Sequence, residues 1–412
     1  MRRVVVTGIG IISPVGNDSA TFWKNITQGV CGIGPITRFD TSDYRVKLAA
    51  EVKGFDPLTY YDSVSDVRRA DMFTQYAIGA AAQAVQDSKL MESGISPERI
   101  GVYVGSGIGG IQTFEAETQK LRDRGPSRVS PLFIPMMISN MAAGAITIRY
   151  GLKGPTLPVV TACATSTHAI GEAFRAIKHG YADVIVAGGS EAAITALAVA
   201  GFTNCKALSE NEDPNQASLP FDARRSGFVM GEGAAIMILE EYETAKKRGA
   251  NIYAEICGYG NTADAYHMTA PHPEAEGAAN AIKLACEEGE LPTANQIYVN
   301  AHGTGTLMND KIETLALKKV FGNDAYGLKI SSTKSMTGHM LGATGAAEAI
   351  ASVLALHNGL IPPTINYKEK DPECDLNYTP NEAEKADVQA AISTSLGFGG
   401  HNACVAFKKM ND

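Results

Sequence analysis

The chain has one tryptophan and seven cysteines in 412 residues, and no two cysteines form a CxxC pair. An odd, widely scattered set (31, 163, 205, 257, 286, 374 and 404) excludes a disulfide framework and fits reduced thiols. The longest apolar stretches, such as 192–202, are far shorter than the roughly 20 residues that cross a bilayer, so no membrane insertion is expected. The opening MRRVVVTGIGIISPVG resembles a signal peptide in having basic and then apolar residues. Its apolar run contains Thr7 and two glycines, stops at Pro14 and lacks a small-residue cleavage site. It reads as a first buried strand over 3–12 of a cytoplasmic protein. Nucleotide motifs are missing too. Gly8 and Gly10 are followed by Ser13, and Gly303 and Gly305 by Met308, where a dinucleotide fingerprint requires glycine. There is no GxxxxGK[ST] loop and no HExxH; His267 and His272 stand five apart around Pro271. No metal or bound cofactor is expected. The net charge of −8 argues against nucleic-acid binding.

What is present is a strand–helix rhythm repeated without a linker or low-complexity segment. Apolar strands are expected over 4–13, 183–192, 252–261, 297–302 and 329–333, most of them followed by helical periodicity. Residues 391–409 alternate on either side of a glycine turn and read as a hairpin. Such alternation implies α/β layering around buried sheets. It divides the chain into two variations on one theme, 1–250 and 251–412, with a site at their junction.

Chemistry-bearing residues fall on three similar turns. The β-branched run Leu157–Thr161 reads as a buried strand, and Ala169, Ile170, Ala173, Phe174 and Ile177 follow at helical spacing until Gly180. Cys163 therefore lies on a strand-to-helix turn, where the positive helix end is expected to favour thiolate. His302 in VNAHGTGT and His339 in STKSMTGHMLGATG occupy comparable Gly/Thr-rich turns, with Lys334 five residues before the second. One thiol and two imidazoles so placed point to acyl transfer.

VTACATSTHAI, NAHGTGTLMND, SSTKSMTGHMLGATG and SLGFGGHN together resemble the β-ketoacyl-[acyl carrier protein] synthases of type II fatty-acid synthesis. DAYHMTAPHP and the length fit the synthase II branch of that family. The resemblance covers essentially the whole chain. It implies an α/β thiolase-like fold of two similar halves in five αβαβα layers, in a homodimer. Ser166 where glycine is common, Leu307-Met308 in place of a proline-led pair, and Thr344 in place of alanine depart from the family pattern.

The resemblance further implies a decarboxylative Claisen condensation. Cys163 carries the acyl group, His302 and His339 hold the malonyl-derived enolate, and Lys334 acts electrostatically with Glu348. The backbone amides of Cys163 and Phe398 receive the tetrahedral oxyanion. Ile108, Phe133, Phe202 and Phe398 would border the acyl pocket, and Thr269, Thr304, Thr306 and Gly399 would meet the pantetheine arm and substrate. The partner is an acyl carrier protein, loaded with acyl or malonyl groups and bringing its own phosphopantetheine. Arg68, Arg69, Arg122, Arg124, Arg128 and Lys206 would receive its acidic surface. Thiolases pair Cys-His with a second cysteine in a CxG turn, but the corresponding turn here reads GFGGHNAC. Initiating synthases use Cys-His-Asn, whereas the second turn here supplies His339. Non-catalytic chain-length factors replace the nucleophile, which is retained here.

Overall fold

In the computed structural model, which describes residues 1–410, nine strands form one sheet. Strands β1 (Val4–Ile12), β2 (Ile100–Gly105), β3 (Val184–Glu191) and β4 (Gly233–Glu241) make one half of it, in the order β2-β3-β4-β1. Strands β5 (Ala254–Ala263), β6 (Ile297–Asn300), β7 (Lys329–Ser331), β8 (Ala390–Gly397) and β9 (His401–Lys408) make the other, in the order β5-β9-β8-β6-β7. The halves join edge to edge where Val4, Val5 and Val6 pair with Ile256, Glu255 and Ala254. Every residue of β1, β2 and β3 is buried, so these strands read as nearly continuous apolar runs.

Six helices complete the layers. Helices α1 (Met72–Ser88) and α2 (Met141–Tyr150) pack on the outer face of the first half-sheet. Helices α4 (Glu276–Gly289) and α5 (Leu307–Phe321) cover the outer face of the second. Between the two half-sheets lie α3 (Thr165–Lys178) and α6 (Thr344–Asn358), whose side chains share one core with both. Helix α6 is buried from Thr344 to Leu356, as expected for a helix apolar on all sides. The result is helix, sheet, helix, sheet, helix.

The central pair approaches closely. A Cβ on Gly345 would lie 2.0 Å from Oγ1 of Thr167, so only glycine lets α6 seat against α3. The Ser166 hydroxyl accepts the N–H of Ala346 at 2.9 Å. That gives one of the four unpaired amides of the first turn of α6 a buried partner, a physical reason for serine where glycine is common.

Five of the expected strands exist, each within about two residues of its observed bounds, and the hairpin is β8–β9 with Gly397 opposite His401. One element differs. Residues 157–161 are not a buried strand: bridging to β2 stops at Thr156 opposite Val102, and the Leu157 N–H bonds the Val102 carbonyl at 3.1 Å. Leu157 and Val160 are 46% and 50% exposed. The apolar composition is that of an edge segment with one side open. Among the described residues, no helix is long and apolar enough to cross a membrane. Residues 411 and 412, the end of the second half as read from the sequence, lie outside the described residues.

Candidate active site

Cys163 sits in a single 3₁₀ turn, Ala162–Ala164, that runs directly into α3. Ala162 before it holds φ at 51°, a left-handed conformation rare for a residue with a side chain. Gly397 at the end of β8 supports the turn: a Cβ there would lie 2.9 Å from the Thr161 carbonyl oxygen and 3.4 Å from the Cys163 nitrogen. Cys163 packs, as does Phe202, on an apolar cluster that includes Phe228 and Leu341. Burial among these groups pushes its thiol up to about 11, although the Lys334 charge and the Phe398 N–H pull the other way. Desolvation thus acts against the helix end, which the sequence reading expected to favour thiolate.

The two histidines are fixed through the same ring atom. The Lys334 ammonium donates to Nδ1 of His302 at 3.4 Å, and it pairs with Glu348 on α6. The Leu341 N–H donates to Nδ1 of His339 at 3.3 Å, and the Thr344 hydroxyl lies 3.0 Å from the same atom. With Nδ1 accepting in both rings, the proton of each neutral imidazole resides on Nε2. Burial first, then the Lys334 charge, holds both rings well below the usual histidine range, so they are neutral near pH 7. Their centroids are 5.3 Å apart with the ring planes at 86°. Nε2 of His339 is buried and has no partner among the described residues, which leaves its N–H open toward the cavity. Phe228 stacks edge-on against His339 at 5.1 Å.

Buried carboxylates that the sequence reading did not single out hold these turns. Glu313 on α5 accepts the N–H groups of His302 and Gly303, each at 2.7 Å, and the Thr394 hydroxyl at 2.6 Å. Asp310 accepts from Phe221 at 2.7 Å and from Gly305 at 3.1 Å. Their sequence signal is two acids three apart on the buried face of a helix, a costly placement unless they bind something. Glu191, the last residue of β3, accepts from Ser106, Gly107, Ile108 and Gly342.

Cys163, His302 and His339 line one cavity of about 330 Å³. The thiol comes from the segment leading into α3, and the imidazoles from the turns that follow β6 and precede α6. Lys206, Thr269, Thr304, Thr306, Phe398 and Asn402 also line it.

The chain matches the "Beta-ketoacyl synthase, N-terminal domain" family over residues 1–245 and the "Beta-ketoacyl synthase, C-terminal domain" family over 253–368. It belongs to the beta-ketoacyl synthase family. It is 52% identical to 3-oxoacyl-[acyl-carrier-protein] synthase 2 of Staphylococcus aureus (strain N315), over 99% of this chain and 98% of that one. The protein of the same name from Synechocystis sp. is 50% identical over the same shares. Among solved structures, a type II polyketide ketosynthase in complex with its acyl-carrier protein, described as bound to the hexaketide, superposes with a TM-score of 0.91 at 33% identity. That match covers all of both chains.

Other residues expected from the family resemblance are less uniformly placed in this synthase. Thr306 caps α5 by accepting the Asn309 N–H at 3.3 Å, and it shares a hydrogen bond of 3.0 Å with Thr304. Phe202 lies behind the cavity wall, 6.3 Å from the Phe398 ring. Gly399 is exposed and outside the lining; its N–H bonds the Met268 carbonyl at 2.7 Å. Ile108 and Phe133 do not reach this cavity within one chain. Ile108 is 37% exposed, and Phe133 lies beside Phe114 with ring centroids 6.5 Å apart. Of the basic residues only Lys206 lines the mouth, while Arg68, Arg69, Arg122, Arg124 and Arg128 are exposed elsewhere. Leu307 and Met308 stand exposed at the rim.

Proposed function

We propose that the chain is a 3-oxoacyl-[acyl carrier protein] synthase II, which lengthens an acyl chain by two carbons in fatty-acid synthesis. The observation that carries this reading is the pair of neutral imidazoles, each held at Nδ1 and bearing its proton on Nε2, in one cavity with the Cys163 thiol. Two fixed N–H donors suit a thioester enolate, whose charge resides on one oxygen.

An acyl-carrier thioester first exchanges with Cys163. The Cys163 sulfur takes the acyl group, the carrier thiol takes the proton, and the Cys163 and Phe398 amides hold the oxyanion. The Phe398 N–H already acts on this sulfur. Malonyl carrier protein then binds, its thioester oxygen between His302 and His339. Carbon dioxide departs as the enolate forms, and the enolate carbon attacks acyl-Cys163; the Cys163 sulfur leaves as thiolate, regains a proton from solvent, and a 3-oxoacyl carrier protein is released. Lys334 fixes the His302 tautomer and opposes thiol protonation from a distance, with Glu348 as its counter-ion. Thr269, Thr304 and Lys206 meet the incoming pantetheine and carrier.

Two halves, 1–250 and 251–412, support the site jointly, and it works in a cytoplasmic homodimer. The open apolar edge at 157–160, directly before the nucleophile turn, suits a second copy, as do the exposed Ile134 and Ile148. Ile108 and Phe133 then border an acyl channel at the subunit seam, and Arg68, Arg69, Arg122, Arg124 and Arg128 meet the carrier on the assembled surface. The test uses purified protein with malonyl carrier protein and acyl carriers of increasing length, products resolved by mass. A product two carbons longer is expected with Cys163 and absent with Cys163→Ala. No elongation at any length overturns the reading.

A further inference from the structure

We propose that Glu191 is a positioning residue that clamps the glycine turn 106–109 onto the turn carrying His339, and so fixes the donor tautomer of that imidazole. The inference rests on the role of His339 given above. Its basis is a single carboxylate at the meeting point of both halves, fully buried at the end of β3.

Both oxygens of Glu191 are saturated. Oε1 accepts from the Ser106 hydroxyl at 2.9 Å and the Ile108 N–H at 3.1 Å. Oε2 accepts from Gly107 at 2.9 Å and Gly342 at 3.0 Å. Ser106 in turn accepts the Gly109 N–H at 3.0 Å, which closes the first turn on itself. The two turns touch so closely that a Cβ on Gly342 would lie 2.4 Å from the Gly107 nitrogen.

The link to catalysis runs through one residue. Leu341, directly before Gly342, holds φ at 48°, a conformation a leucine leaves unless its neighbours pin it. The Gly342 N–H, bound by Glu191, is that pin. With Leu341 so held, its own N–H points at Nδ1 of His339 and keeps the proton on Nε2. If the clamp is released, Leu341 can relax, and the ring is free to take its other tautomer, whose Nε2 has no proton to offer an enolate.

The test separates partial reactions. In a Cys163→Gln background, which isolates decarboxylation, Glu191→Gln puts an amide N–H₂ where two N–H donors point. We expect carbon dioxide release from malonyl carrier protein to fall about tenfold or more, while Glu191→Gln alone keeps Cys163 acylation by a short acyl carrier within about twofold of wild type. A nitrogen-labelled histidine spectrum should show His339 passing from one Nε2–H form to a tautomer mixture, which a general loss of stability would not produce. Glu191→Asp, which keeps the charge on a shorter arm, is read the same way if the glutamine variant does not fold. Unchanged decarboxylation, an unchanged His339 spectrum, or loss of both partial reactions together overturns the proposal. His339→Ala in the same background is the reference. Intact decarboxylation there overturns the catalytic reading and the proposal with it, whereas loss there with retention in Glu191→Gln overturns the proposal alone.

Discussion

Nζ of Lys334 lies 3.4 Å from Nδ1 of His302 and is paired on its other side with the Glu348 carboxylate. A buried ammonium thus fixes a neighbour's tautomer while a buried acid balances its charge. Burial pushes that acid up, and the ammonium beside it pulls it back down. Lys334→Met should cost about 3 kcal/mol of stability by leaving Glu348 unpaired, and should abolish decarboxylation by freeing Nδ1 of His302. The double variant Lys334→Met with Glu348→Leu should regain most of the stability and none of the activity. Denaturant unfolding and a carbon dioxide release assay, run on both, check the pair; recovered activity would show that Lys334 has no role beyond packing.

Thr344→Ala tests the second Nδ1 contact of His339. The hydroxyl is buried and lies 3.0 Å from the ring nitrogen, and its loss leaves only the Leu341 N–H. A net hydrogen bond of about 1 kcal/mol predicts a roughly five-fold fall in decarboxylation, with acylation of Cys163 unaffected. Intact-protein mass after incubation with an acyl carrier reads the second half of that expectation.

The imidazoles also predict a pH dependence of stability. Their folded pKa values lie well below 6.5, so below that pH the unfolded chain binds more protons than the folded one, and stability falls as pH drops. Glu191, raised to about 7 by burial, contributes in the opposite sense, adding stability as pH falls from 7 toward 4.5. The difference measurement therefore isolates the histidine. Between pH 6.5 and about 5.5, wild type should lose about 1 kcal/mol more than His339→Gln. Equal losses in urea melts at the two pH values would mean that His339 is charged in the folded protein.

Val160→Lys places a charge on the open edge before the nucleophile. If a second copy covers that edge, sedimentation should shift from dimer to monomer, with condensation lost alongside. A dimer that survives the substitution would move the interface elsewhere.

The layering, the hairpin and the three reactive turns could all be read from local pattern, because strand and helix periodicities and glycine turns are properties of neighbouring residues. The misreadings share a different cause. Val159 and Val160 are apolar, and apolarity alone does not say whether the covering surface belongs to the same chain. The Cys163 thiol lies beside a helix end that the sequence displays, but Phe228 and Leu341, in the apolar cluster it packs on, arrive from 65 and 178 residues away. The bonds of Glu191 and Glu313 likewise escape local pattern, since their donors lie on other segments.

The two central helices begin alike. Ala162 and Leu341 both take left-handed φ, each opens a single 3₁₀ turn, and each turn passes into a helix starting at a threonine, Thr165 or Thr344. ACAT and LGAT are therefore one device present twice, and Gly342 is the counterpart of Cys163. One copy keeps a side chain, the Cys163 thiol that lines the cavity. The other has given its side chain up, because any atom beyond Cα would strike Gly107 and Glu191. The same turn geometry thus opens both central helices. Restoring a side chain at 342 would not create a second nucleophile; it would break the support of the first copy's partner histidine.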